Sequence, residues 1–173
     1  MKKLIQTTTL LLTIITLFSC CKKEDPEPCE GCYTEVFRCK IDGVDFEPYC
    51  KSGPLFGCSA IDCQYYKGSG DMSLRVYNDQ SNLNVQLNGR PIKIGQNTLR
   101  PRKGAFQDWS IPTNCGLYNL DTTKDNRLII LEIDTINQII KGEFDFYAID
   151  VYNGCDSATV HITDGYFDVV YRF

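Results

Sequence analysis

Histidine is almost missing from this 173-residue chain: His161 is the only one. A hydrolase triad needs a histidine base beside a nucleophile, so such chemistry would have to rest on His161 alone. Alternation puts that residue on the polar side of a strand with Thr159 and Thr163, which reads as a solvated strand position. No glycine-rich phosphate loop occurs, which removes the common nucleotide cradle. No apolar run comfortably reaches the ~18 residues expected of a membrane-spanning helix. No segment carries a convincing helical period, which argues against a helix bundle. Positive charge is in deficit, with 18 Lys and Arg against 22 Asp and Glu. A net charge of −4 argues against general nucleic-acid binding, which needs a basic surface.

What the chain does have begins at its N-terminus. Lys2 and Lys3 precede a short apolar stretch from Leu4 to Phe18, diluted by Gln6 and five threonines. Charge follows at once in Lys22, Lys23, Glu24 and Asp25. The order of a positive region, a short apolar region and a small residue is that of a secretory signal peptide. Leu17-Phe18-Ser19-Cys20 resembles the lipobox of bacterial lipoproteins. The resemblance implies a diacylglycerol on the Cys20 thiol, cleavage after Ser19 and acylation of the new amino group. Each buried acyl methylene contributes about 0.8 kcal/mol, so two or three chains make a lasting anchor where one is marginal. The expected organisation is a signal peptide over 1–19, a lipidated cysteine with a flexible tether over 20–33, and one domain over 34–173. The expected partner through Cys20 is the membrane, and the expected location is the cell envelope, lipid-anchored at the outer membrane or exposed on the cell surface. The Lys22-Lys23-Glu24-Asp25 run also resembles the surface-export signal of Bacteroidetes lipoproteins, although a solvated tether would read the same. Removing 1–19 takes away Lys2 and Lys3 and no acid, leaving 16 basic and 22 acidic side chains and a net charge of −6.

Ten cysteines are many for this length. In an exported chain they read as a disulfide framework. With Cys20 given to lipid the rest are odd in number, and Cys21 beside the anchor is the expected odd one. Cys39 and Cys63 share faces with apolar residues and are paired on that ground. Cys50 and Cys58 flank the short loop Lys51–Gly57 and would close it. Cys115 and Cys155 sit beside glycines at strand ends and would tie two loops together. Cys29 and Cys32 pair by elimination. Their Cys-x-x-Cys spacing also fits a redox or metal pair, with Cys39 and Cys50 as further ligands. An oxidising compartment and the lack of a following helix favour the disulfide.

From Val36 onward the chain alternates with a period of two. Val36–Ile41 and Val44–Phe46 flank an Asp42-Gly43 turn. Further strand candidates are Cys58–Tyr66, Met72–Tyr77, Leu83–Leu87, Ile92–Ile94, Gly116–Leu120, Arg127–Asp134, Gln138–Ile149 and Ala158–Thr163, with Asn88-Gly89 as a tight turn. Asp164-Gly165 marks a bulge or bend, after which Phe167, Val169, Tyr171 and Phe173 line one face. About eight to ten short strands predict an all-β, antiparallel sandwich or barrel-like domain. Phe37–Phe46, Gly116-Leu117-Tyr118, Lys141–Phe146 and Val160–Phe167 are together similar, in order and spacing, to a family of small Bacteroidetes lipoproteins of uncharacterised function. That resemblance covers Phe37 to Phe173. It implies a β-sandwich-like lipoprotein domain and carries over no catalytic residue.

No cofactor or metal is expected. The Asp121–Asn126 loop lacks EF-hand spacing, and Glu143 with Asp145 reads as a polar sheet face rather than a glycosidase pair. Arg90, Lys93, Arg100, Arg102 and Lys103 form a basic cluster that reads as a solvated edge more readily than as an anion site. Trp109, in a polar irregular stretch, is the candidate ligand platform, with Tyr65, Tyr66, Tyr147 and Tyr152 beside turns; a lone tryptophan in a sandwich is otherwise core. The expected function is a non-enzymatic binding or interaction module at the envelope, with a glycan or an envelope protein as partner. The rivals are a carbohydrate-active enzyme or glycan-binding accessory protein, and a structural envelope component.

Overall fold

Alternating apolar and polar side chains build strands throughout. The computed structural model describes residues 33–51, 58–100, 104–111, 114–150 and 159–173. Within them run β1 (Val36–Ile41), β2 (Val44–Phe46), β3 (Ile61–Tyr66), β4 (Asp71–Asn78), β5 (Leu83–Gly89), β6 (Gly95–Asn97), β7 (Phe106–Asp108), β8 (Leu117–Leu120), β9 (Arg127–Asp134), β10 (Ile139–Asp150) and β11 (Thr159–Val170), with one 3-10 turn at Asn114–Gly116. Residues Thr34–Phe173 form one compact unit. Its strands make one antiparallel sheet in the order β2-β1-β11-β10-β8-β7-β5-β4-β3, with β9 paired to β10 and β6 to β9. The sheet curls into a half-barrel, so the domain is all-β as its patterning predicts. Eleven strands exceed the expected number, and β6 and β7 fall on stretches that the alternation does not mark. Ile92–Ile94 is not a strand, and the strand nearby is β6.

The concave face of the curl is the core. Phe144, Phe146, Phe167, Tyr171, Leu74, Leu87, Leu128 and Ile130 are among its fully buried side chains. β10 and β11 form its spine. Gly142 lies opposite Phe167, and Phe144 opposite Gly165. A Cβ on Gly142 or Gly165 would meet the facing phenylalanine ring at 2.5 Å. Each glycine therefore makes the room that lets a ring lie flat over the opposite strand. The bend expected at Asp164-Gly165 is a β-bulge: the register slips between Phe144 and Phe146, and Asp164 takes a φ of 52°.

The C-terminal strand is structural to its penultimate residue. Tyr171 donates its N–H to the Gln138 carbonyl at 2.8 Å. Arg172 donates to the Cys63 carbonyl at 2.8 Å, and Tyr65 donates to Arg172 at 2.9 Å. These bonds occupy the middle of the outer edge of β3 and tie it back to the end of β11. Phe173 departs from the expected register and is 61% exposed. Beyond the last bridge, at Arg172, no strand continues to cover it; its ring instead meets Tyr171 edge-on and the Lys67 ammonium at 4.7 Å.

The Asn88-Gly89 pair is not a turn. Both residues are ladder partners of β4, Asn88 with Ser73 and Gly89 with Met72. Gly89 is needed there for space, since a Cβ would lie 2.4 Å from Ile92 Cγ2. The pairing of Cys39 with Cys63 is also overturned: both are free and buried. Cys39 sits on β1 opposite Phe46, Cys63 on β3 opposite Leu74, and the two strands are not ladder partners. Sharing an apolar face does not by itself make two cysteines neighbours in the sheet, and a bridge needs Cα atoms within about 7 Å. Burial pushes both thiols up to about 12. Cys50 and Cys58 are disulfide-bonded with a Cα–Cα separation of 5.9 Å, and Cys115 is disulfide-bonded. Cys20, Cys21, Cys29, Cys32 and Cys155 lie outside the described residues.

Candidate binding cleft

The side of β3, β4 and β5 turned away from the core is a polar surface laid out by register. Asp62 faces Arg75, which faces Gln86; Gln64 faces Ser73, which faces Asn88; Tyr66 faces Asp71. Strand alternation drives this arrangement. Met72, Leu74 and Val76 turn into the core, which leaves Asp71, Ser73 and Arg75 on the other face. β5 carries amides alone on its outer side, at Asn84, Gln86 and Asn88, and all three are buried. Gln86 donates its N–H to the Ala105 carbonyl and Arg100 donates to Asn88, each at 2.9 Å. The chain around Arg100 is thereby held along β5, and its side chain stands at the rim of the amide row.

These rows enclose a cleft of about 470 Å³ lined by Asp62, Gln64, Tyr66, Asp71, Met72, Ser73, Arg75, Asn88, Gly89, Arg90 and Arg100. Three guanidinium groups face two carboxylates, so the cleft is locally positive in a chain of net charge −4. Arg90 Nε lies 2.9 Å from Asp71 Oδ1. The contact is an ion pair without hydrogen-bond geometry, since Asp71 Oδ1 is buried with no hydrogen-bond partner among the described residues. Neither Arg75 nor Arg100 forms an ion pair among the described residues. Tyr66 is half exposed at one end, and its hydroxyl donates to Gln64 Oε1 at 3.2 Å.

Trp109 is 67% exposed, in the turn after β7, with its N–H donated to the Asn82 carbonyl. It is neither core nor part of the cleft. Among the tyrosines singled out in the sequence, Tyr66 lines the cleft, Tyr65 is buried, and Tyr152 lies outside the described residues. Arg90 and Arg100, read in the sequence as parts of a solvated edge, both line the cleft. Arg75 and Asp62 carry no site signal in the sequence, and Asn88 is read there only as part of a turn. The available signal was Asn84-Val-Gln86-Leu-Asn88, where the outward side of a strand holds only uncharged amides, an unusual choice for a face open to water.

His161 belongs to a separate cluster on β10 and β11. Its Nε2 lies 3.0 Å from Asp145 Oδ1, and its ring stacks on Tyr147 with centroids 3.8 Å apart. No serine, threonine or cysteine hydrogen-bonds the ring among the described residues. One metal-ligand grouping occurs among the described residues, Cys50, Cys58 and Asp79. Two of its members are joined as a disulfide, and Asp79 accepts the Lys51 N–H at 3.2 Å. Asp121 spends Oδ1 on its own loop, accepting from the Thr123 hydroxyl at 2.6 Å and the Thr123 N–H at 3.0 Å. The chain matches no protein-family model, no curated protein and no solved structure.

Proposed function

We propose that this protein is an envelope lipoprotein anchored through Cys20, whose β domain acts as a non-enzymatic binding module with the β3–β4–β5 cleft as its site. The anchor rests on the Leu17–Cys20 motif and on the resemblance of sequence motifs between Phe37 and Phe173 to small Bacteroidetes lipoproteins. The observation that carries the binding role is the cleft itself. Its volume falls within the roughly 300–1,000 Å³ range of small-molecule sites, and its walls offer hydrogen-bonding side chains in fixed strand register. The chemistry available there is recognition: amides, arginines and a tyrosine ring hold a ligand without a nucleophile–base pair.

Two experiments test the reading. Cys20→Ser should abolish palmitate labelling and release the protein from the membrane fraction; unchanged labelling would remove the anchor. For binding, the full chain in detergent is melted against a panel of oligosaccharides and short peptides. A ligand at 100 times its Kd contributes about 2.7 kcal/mol, a shift easily read. At least one compound should raise the Tm, and Tyr66→Ala with Arg75→Gln should remove the rise. A panel with no such compound would defeat the binding-module reading.

A further inference from the structure

Resting on that reading, we infer that the cleft takes an acidic saccharide, whose carboxylate is read by Arg75 and Arg100. Three observations lead there. The first is charge. Arg90 has Asp71 as its partner, while Arg75 and Arg100 line the same cleft with no ion-pair partner among the described residues. Asp62 lies directly across the ladder from Arg75 without forming an ion pair with it. A guanidinium in a concave wall is a fork that matches a carboxylate in two parallel hydrogen bonds, and concave walls focus its field.

The second is the character of the remaining wall. Gln64, Ser73 and Asn88 supply both donors and acceptors, and Tyr66 offers a half-exposed ring at the end of the row. Alternating donors and acceptors beside an aromatic face suit a ring bearing several hydroxyl groups. A cleft of about 470 Å³ is too roomy for an inorganic anion alone.

The third is what the backbone withholds. An extended peptide binds a sheet through a free edge. Here the middle of the β3 edge is taken by Arg172, through the bonds from Tyr65 and to Cys63, and β5 is bonded by Arg100 and Ala105. The floor of the cleft is an internal stretch of sheet, so recognition falls to side chains. That favours the saccharide over an acidic peptide.

The test is calorimetry on the full chain in detergent, with trimers of galacturonate, glucuronate, mannuronate and guluronate, their carboxyl-reduced counterparts, and hexaglutamate. At least one uronate trimer should bind. Carboxyl reduction should weaken it by about tenfold or more, as expected for loss of a charge-assisted hydrogen bond. Arg75→Gln and Arg100→Gln should each cost a similar factor, and raising salt should weaken binding. Both arginines are solvent-exposed in part, and an unchanged Tm for either variant keeps the comparison valid if the other is unstable. A reduced trimer that binds as tightly as its uronate, with binding lost in Tyr66→Ala, would overturn the acidic ligand and leave the binding module standing. Hexaglutamate binding more tightly than every uronate would overturn the saccharide. Absence of binding by every probe, reduced sugars included, would overturn the inference, while a different compound raising the Tm in the wider panel would still uphold the module.

Discussion

At the scale of single residues, the domain is governed by close approaches and by where polar atoms find partners. Gly142 and Gly165 each face a phenylalanine ring at a distance that no Cβ can share. Gly165→Ala should therefore cost about 1–3 kcal/mol, the usual penalty of overfilling a packed site, read as a lower urea midpoint with an unchanged slope. An unchanged midpoint would mean that Phe144 has room to move. The free thiols make a second prediction. Cys39 and Cys63 are buried and pushed up to about 12, so iodoacetamide near pH 8 should spare both in the folded protein. After unfolding without reductant both should label, whereas a hidden bridge would leave them unlabelled. A third concerns acid. The Thr123 hydroxyl and N–H hold Asp121 below the ordinary aspartate value. Its folded pKa lies below its unfolded one, so the charge stabilises the fold above roughly pH 4 and that contribution fades as pH falls through the lower folded value. Asp121→Asn should be less stable at neutral pH and should converge with the parent in strong acid. Parallel Tm curves would show that the loop gains nothing from the charge.

At the scale of elements, the end of the chain closes the sheet. Tyr171 is fully buried, and Arg172 carries the two backbone bonds that seal β3. Removing an aromatic from a core costs about 3–5 kcal/mol, a large share of a domain's typical 5–15 kcal/mol. Tyr171→Ala should accordingly leave the protein marginal, and deleting 169–173 should abolish cooperative unfolding by circular dichroism. Phe173→Ala should be nearly silent, because that ring is mostly in solvent. Equal costs for the two substitutions would mean that Phe173 is packed as tightly as Tyr171. The Cys50–Cys58 bridge closes a short loop, for which chain entropy suggests about 2–3 kcal/mol. Replacing both cysteines by serine should lower stability by that order.

At the scale of the whole molecule, one face of a single curled sheet makes the core and the opposite face of three neighbouring strands makes the cleft. The same alternation serves both, because Asp62, Gln64, Tyr66, Asp71, Ser73, Arg75 and Asn88 on β3, β4 and β5 are turned away from the core and line the cleft. The elements were legible in the sequence wherever a strand was long enough to repeat: β1, β4, β9, β10 and β11 lie close to where their patterns place them. β6 and β7 were not: Gly95-Gln-Asn and Phe106-Gln-Asp hold one apolar residue or none, where the equally short β2 has Val44 and Phe46 on either side of Asp45. Asn88-Gly89 misled because its turn chemistry is a local preference, and pairing with Ser73 and Met72 outweighs it. Phe173 misled because alternation says which side a residue takes and not whether anything lies there.

The sequence by itself determined that the domain is β throughout, that its strands have one apolar side, and which residues occupy that side. Those are properties of adjacent residues and of a period of two. Tertiary structure alone decided which strands are neighbours. That in turn decided that Cys39 and Cys63 stay unbridged, that Trp109 lies outside the cleft, and that Arg75, Arg90 and Arg100, 25 positions apart from first to last, share one cleft. Strand order costs loop entropy and is settled by how the whole sheet curls to cover its apolar face, and no local window of sequence contains that sum.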